Sequence, residues 1–184
     1  MADRNGPDVD SLLALFPRDD YLRTFEQVSG EQLPQPYRDL LVHEHHMTVT
    51  VEAHHGGPVD VKVLHVNHGD DVYARMILLA LQGSGRIVQF GIVRIHFDYC
   101  DAAVRKEILA QNKPLGRILI EHDVLRRIEP TAFLRITPGA AMMRWFGLTE
   151  PVTTYGRLAI IHCNEQPAVE LLEIVTPDDG RERS

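Results

Sequence analysis

The chain has 184 residues, 44% hydrophobic and 24% charged, with a formal net charge of −7. Its Lys and Arg residues are scattered, so there is no basic stripe for nucleic acid, and no apolar run approaches the roughly 18 residues that span a bilayer. The polar, acidic N-terminus MADRNGPDVD is neither a secretory signal nor a transit peptide, which makes a cytoplasmic protein the expectation.

Residues 1–8 and 177–184 read as frayed ends of a single domain covering 1–184. A chain of this length buries about two thirds of its unfolded surface, enough for a core with an internal cavity. VDSLLALF and YLRTFEQV space apolar residues at three and four, predicting two helices. PQPYRDLLV predicts a third, with proline in a first turn that tolerates it. HMTVTVEAHH then alternates β-branched and polar residues, predicting a strand closed by the GGP turn. VDVKVLHVNH alternates as well. DVYARMILLALQ is apolar on both faces, as in a strand covered on both sides, and QGSG turns it into RIVQFGIVRIHF. Successive hairpin signals favour an antiparallel meander over βαβ units.

DAAVRKEILAQ predicts a short helix capped by Asp101, and KPLGRILIEHD a loop running into a further apolar turn or helix. RRIEPTAFLRIT reads as a strand in which Pro130 implies an edge or a bend. PGAAMMRWFG is a short helix ending at Gly147, and VTTYGRLAIIHC and AVELLEIV form a terminal hairpin around NEQP. The fold class is α+β, with about six mainly antiparallel strands and four to six short helices.

Arg75 lies in the apolar run VYARMILLAL. A guanidinium there is expensive to bury unless it meets an anion with good geometry. Its planar fork suits a carboxylate, to which it donates two parallel hydrogen bonds. A structural ion pair with an internal carboxylate is the competing explanation. Glu173 shares a strand face with Val169, Leu171 and Val175, whereas Glu170 sits with Ala168, Leu172 and Ile174. Either glutamate could be the structural partner of Arg75. A carboxyl held among apolar side chains tends to a raised pKa and can act as a general acid. In KPLGRIL, Pro114, Leu115 and Gly116 suggest a tight turn whose N–H groups could hold a carboxylate.

His43, His45, His46, His54 and His55 crowd one stretch without metal-site spacing, and solvated strand-end histidines explain them. Cys100 and Cys163 are far apart in sequence and read as buried free thiols. No GxSxG, P-loop or GxGxxG is present, so neither a metal nor an organic cofactor is expected.

In order, HMTVTVEA, YARMILLAL, NKPLGRIL and ELLEIVTP resemble the chorismate pyruvate-lyase family (chorismate lyase, or 4-hydroxybenzoate synthase) over roughly residues 38–177. The matching positions are Met47–Thr48, Arg75 two residues after Tyr73, Pro114–Leu115–Gly116, and a glutamate four residues before a proline, which selects Glu173 before Pro177. The nearer likeness is to the shorter chorismate-lyase-like branch. Three departures mark it: a short segment between the Met47 and Arg75 blocks, an added DAAVRKEILAQ helix, and an Arg-rich segment reduced to Tyr155–Arg157.

The resemblance implies a six-stranded, mainly antiparallel sheet with helices covering an internal cavity. It also implies cofactor-independent elimination of pyruvate from chorismate to give 4-hydroxybenzoate. On this reading Arg75 and the Leu115 N–H grip the ring carboxylate and Met47 lines the wall beside Gly116. Glu173 assists proton movement at the far end, which makes Glu173 and Arg75 the catalytic pair. Arg94, Arg135 and Arg157 are candidates for the enolpyruvyl carboxylate. The expected partner is a small carboxylated aromatic or cyclohexadiene ligand, with no nucleic acid or membrane, for a monomer or homodimer. Two alternatives stand beside it: an enzyme of the same fold acting on another carboxylated ring, and a non-catalytic effector-sensing domain.

Overall fold

The computed structural model describes residues 6–69 and 72–178. Its centre is a seven-stranded sheet, antiparallel throughout, made of β1 (Leu22–Val28), β2 (Val59–His68), β3 (Val72–Leu81), β4 (Ile87–His96), β5 (Arg126–Pro138), β6 (Thr154–Cys163) and β7 (Gln166–Val175). The spatial order is β1-β5-β6-β7-β4-β3-β2. Two meanders, β2–β3–β4 and β5–β6–β7, are thus joined where β4 pairs with β7.

Helices cover both faces. On one side α1 (Val9–Leu13) and α6 (Ala140–Phe146) pack over Met76, Leu78, Phe90, Ile92, Leu172 and Ile174. On the other, α2 (Tyr37–Leu41) and α3 (Met47–His55) cover Ile77, Leu79 and Val175, while α4 (Ala102–Ala110) and α5 (Leu115–Glu121) cover Val93, Ile95 and Leu171. β3 is buried along nearly its whole length because both layers bear on it.

Several local signals act as anticipated. The Asp101 side chain accepts from the Val104 N–H at 2.9 Å and starts α4. Gly147, in the left-handed region at φ 69°, ends α6. The β5–β6 register slips between Pro130 and Ala132, at a point beyond the reach of β1, so Pro130 marks both a bend and an open edge.

The sheet has seven strands rather than the expected six, and two segments differ in kind from expectation. YLRTFEQV is strand β1, not a helix. Its apolar residues fall every third position, but it lies as a mostly exposed edge strand against β5, where aromatic and β-branched residues fit. HMTVTVEAHH contributes helix α3, not a strand, so Met47 and Thr48 open a helix. Met47, Thr48 and Val51 face the sheet and Gly56 closes the helix at φ 70°. The alternation is real but loses to docking of one helical face. The histidines move accordingly: His43, His45 and His46 occupy the α2–α3 loop, and His54 and His55 the last turn of α3.

At the ends, Asp8 caps α1 through the Ser11 N–H, and the Asp178 N–H donates to the Tyr37 hydroxyl at 2.8 Å. Residues 1–5 and 179–184 of the expected frayed ends lie outside the described residues. Cys100 and Cys163 are free thiols, Cys163 buried and Cys100 half-buried, and burial pushes the Cys163 thiol up to about 11.

Candidate functional site

Strand registry places the floor of the site. Arg75 pairs with Val93, Ile77 with Gly91, and Leu79 with Gln89, while Gly91 pairs with Glu173 and Val93 with Leu171. Alternation turns all of these toward α3 and α5. Gly91 contributes no side chain at the centre of this patch, and a cavity of about 40 Å³ lies there. Its roof comes from His46, Met47 and Thr48 on one side and Pro114, Leu115 and Gly116 on the other. The two roof helices meet closely: a Cβ on Gly116 would lie 3.1 Å from His46 Cβ and from Thr48 Oγ1. Met47, Arg75, Leu115, Gly116 and Glu173, the five residues selected from the sequence, therefore line one cavity.

Arg75 is 1% exposed. Only its Nη2 has a partner, the Lys113 carbonyl at 3.2 Å, while Nε and Nη1 are buried without one. The Tyr73 hydroxyl is a neighbour of the guanidinium, within electrostatic and weak hydrogen-bonding reach, and is itself buried without a well-formed hydrogen bond. Burial lowers the Arg75 pKa and raises that of Tyr73. Neither glutamate considered as its internal partner reaches it. Glu170 pairs with Arg94, and Glu173 with Arg157 at 2.7 Å.

The Arg157–Glu173 pair is the second buried charge system. Arg157 is 0% exposed. Its Nε is committed to Glu173, Nη1 donates to the carbonyls of Leu41 (3.3 Å) and His43 (2.9 Å), and Nη2 to that of His45 (3.1 Å). It staples the α2–α3 loop to the sheet. Of the arginines considered for a second carboxylate, Arg157 and Arg94 are thus engaged with glutamates, and Arg135 is an exposed partner of Glu26.

His46 forms part of the wall and shares the buried side with the cavity. Its Nε2 accepts from Arg126 Nε at 2.7 Å, so the ring proton belongs on Nδ1. Burial, with the charges of Arg126 and Arg157, depresses its pKa to about 4. Burial and Arg157 bring His43 to about 4 as well. His46 is thus a neutral wall histidine and His43 a half-buried neighbour of Arg157, rather than solvated ones. Among the described residues no group of His, Cys, Asp or Glu is placed to hold a metal ion. On the far side of His46 a wider surface groove of about 660 Å³ runs along Val124–Ile128. The small cavity is the better candidate because buried polar groups without partners face it.

One of those groups was not anticipated. Gln89 is 3% exposed and lines the cavity, and its Oε1 has no partner. The available signal was a single amide within IVQFGIV, on the same alternation as Gly91 and Val93. Arg157, considered only as a candidate, is the other residue whose importance the sequence understated.

No family model matches the chain, and no curated protein matches it. Among solved structures it is similar to a gene product of Staphylococcus aureus (TM-score 0.48, 9% identity, 64% of this chain and 82% of that one). It is also similar to a possible transcriptional regulator, YydK, from Bacillus subtilis (0.44, 12%, 64% and 57%). A third similar structure is PhnF from Mycobacterium smegmatis (0.46, 12%, 71% and 63%). The chain spans less than two thirds of the last two. Likeness at this level bears on neither family nor activity. Among the described residues no helix is long and apolar enough to cross a membrane.

Proposed function

We propose that the chain is a binding domain for a small carboxylated molecule, held at Arg75 in the cavity between the sheet and the α3–α5 roof. One observation carries this reading: a fully buried guanidinium with Nε and Nη1 unpaired and no ion-pair partner among the described residues. Each buried donor left unsatisfied costs about 1–3 kcal/mol. A ligand carboxylate would remove that cost through short charge-assisted hydrogen bonds.

Binding is favoured over catalysis by the state of Glu173. The proton-moving role implied by the family resemblance calls for a carboxyl that can carry a proton near neutral pH. Here the carboxylate accepts from a fully buried arginine at 2.7 Å, so the fold already engages it as the partner of Arg157. The cavity therefore offers an anion anchor beside an internally paired carboxylate. Effector sensing needs no more than this. Elimination of pyruvate from chorismate is the second reading, supported by the convergence of Met47, Arg75, Leu115, Gly116 and Glu173 on one cavity. An enzyme acting on a different carboxylated ring would use the same anchor.

Calorimetric titration with benzoate, 4-hydroxybenzoate and chorismate, alongside an assay for released pyruvate, separates these readings. Saturable binding without turnover, lost in Arg75→Met, is the expected result. Pyruvate formation that depends on Glu173 would favour the second reading. Binding undiminished in Arg75→Met would overturn the anchor.

A further inference from the structure

We infer that Gln89 is the specificity-determining residue at the end of the cavity opposite Arg75, and that it selects an elongated acid carrying a hydroxyl at the end remote from its carboxylate. The inference rests on the carboxylate-binding reading of Arg75 and extends it to the ligand's other end.

Gln89 resembles Arg75: it is buried, lines the cavity, and has a buried polar atom, Oε1, without a partner. Its direction follows from alternation with Gly91 and Val93. The β3–β4 register slips between Leu79 and Ala80, so that Leu79 pairs with Gln89 and Ala80 with Ile87, leaving Val88 as the extra residue. Through this bulge the consecutive Val88 and Gln89 both serve the same side of the sheet. Val88 joins the cluster with Ile77, Leu79 and Val175, and Gln89 lines the cavity beside it. Regular alternation would send Val88 to the opposite layer, so Val88 is the residue that the bulge re-aims. A leucine at this position would pack with the neighbouring aliphatic residues and leave no unpaired amide.

The two polar ends are well separated. Gln89 lies four residues along β4 from Val93, the partner of Arg75, about 13 Å measured along the strand at ~3.3 Å per residue. Between them the floor is apolar or empty at Ile77 and Gly91, with Glu173 already occupied by Arg157. A carboxylate at Arg75 therefore leaves Gln89 for a group at the far end of the ligand. A hydroxyl both donates and accepts, so it satisfies the amide in either orientation.

The test titrates benzoate, 2-hydroxybenzoate, 4-methylbenzoate and 4-hydroxybenzoate, and in a chain series pentanoate and 5-hydroxypentanoate, into the full-length protein and Gln89→Met. In the wild type, the acid with the remote hydroxyl binds about three- to tenfold more tightly than its methyl or unsubstituted counterpart, as one buried hydrogen bond gives. 2-Hydroxybenzoate gains nothing. In Gln89→Met that preference falls to about one while benzoate affinity is unchanged within about twofold. Equal affinity of wild type for 4-hydroxybenzoate and 4-methylbenzoate, with no gain in the chain series, overturns the inference even should the variant not fold. A preference that persists in Gln89→Met overturns it too, leaving the Arg75 anchor intact. Failure of every acid in both series to bind the wild type refutes the carboxylate reading itself.

Discussion

Replacing Arg75 with methionine should separate binding from stability. Methionine keeps most of the aliphatic volume and removes the charge. The wild-type side chain makes one hydrogen bond, to the Lys113 carbonyl, and buries two nitrogens without partners. Relieving two unsatisfied donors is worth about 2–6 kcal/mol, and losing one charge-assisted hydrogen bond costs about 1.5–3 kcal/mol. The free protein should therefore change by between about 1 kcal/mol destabilising and 4 kcal/mol stabilising. At about 2–4 °C per kcal/mol for this chain length, its Tm should rise, or fall by no more than about 4 °C. Affinity for a carboxylate should drop about 10- to 100-fold in the same variant. Arg157→Met is the control. It strands the Glu173 carboxylate and frees three loop carbonyls, a loss of about 3–5 kcal/mol. Thermal melts followed by circular dichroism, paired with calorimetric titration, give both readouts. Should Arg75→Met melt as far below wild type as Arg157→Met, Arg75 is a structural residue and the anchor argument fails.

Gly116→Ala must push α5 away from His46 and Thr48, at 3.1 Å from a new Cβ. A loss of about 1–3 kcal/mol in urea denaturation, as for other overpacked sites, is expected. Gly91→Ala behaves differently. Its Cβ meets Ile77 at an ordinary 3.4 Å, so the protein should fold normally while the methyl group fills part of the cavity, and titration should show weakened binding. The wall histidines predict a pH effect. His43 and His46 titrate near 4 in the fold against an ordinary 6.5, so the unfolded chain binds more protons between those values. Stability is complete above about pH 6.5 and declines as pH falls toward 4, by up to about 3 kcal/mol for buried His46 and less for half-buried His43. His46→Gln should flatten the slope between pH 7 and 5 in denaturant titrations, and an unchanged slope would show that His46 is not responsible.

The site proved more legible than the elements around it. Arg75 announced itself because a guanidinium inside VYARMILLAL has no inexpensive place to go. The strands carrying the floor, β3, β4 and β7, are the most apolar segments and were recognisable as strands. The α3 half of the roof differs in kind, since Met-Thr-Val-Thr-Val alternates as a strand would and becomes helical through docking of Met47, Thr48 and Val51 on the sheet. β1 was misread for the converse reason: an edge strand has one partner and little burial, so its periodicity is weak. The division of the carboxylates was out of reach. Which arginine meets Glu173 depends on the register of the β6–β7 hairpin, where a shift between Ile161 and His162 sets Arg157 opposite Glu173. The β4 bulge that brings Val88 to the same side as Gln89 likewise exists only in the paired sheet.

Lys113 has an outward consequence. Its carbonyl receives the one hydrogen bond that Arg75 makes, while its ammonium bridges Glu107 on α4 and Glu121 on α5. The residue that meets the anchor from inside is thus the clasp of the helix pair outside. An acid bound at Arg75, as proposed, would change the charge that this carbonyl faces at the residue that joins α4 to α5.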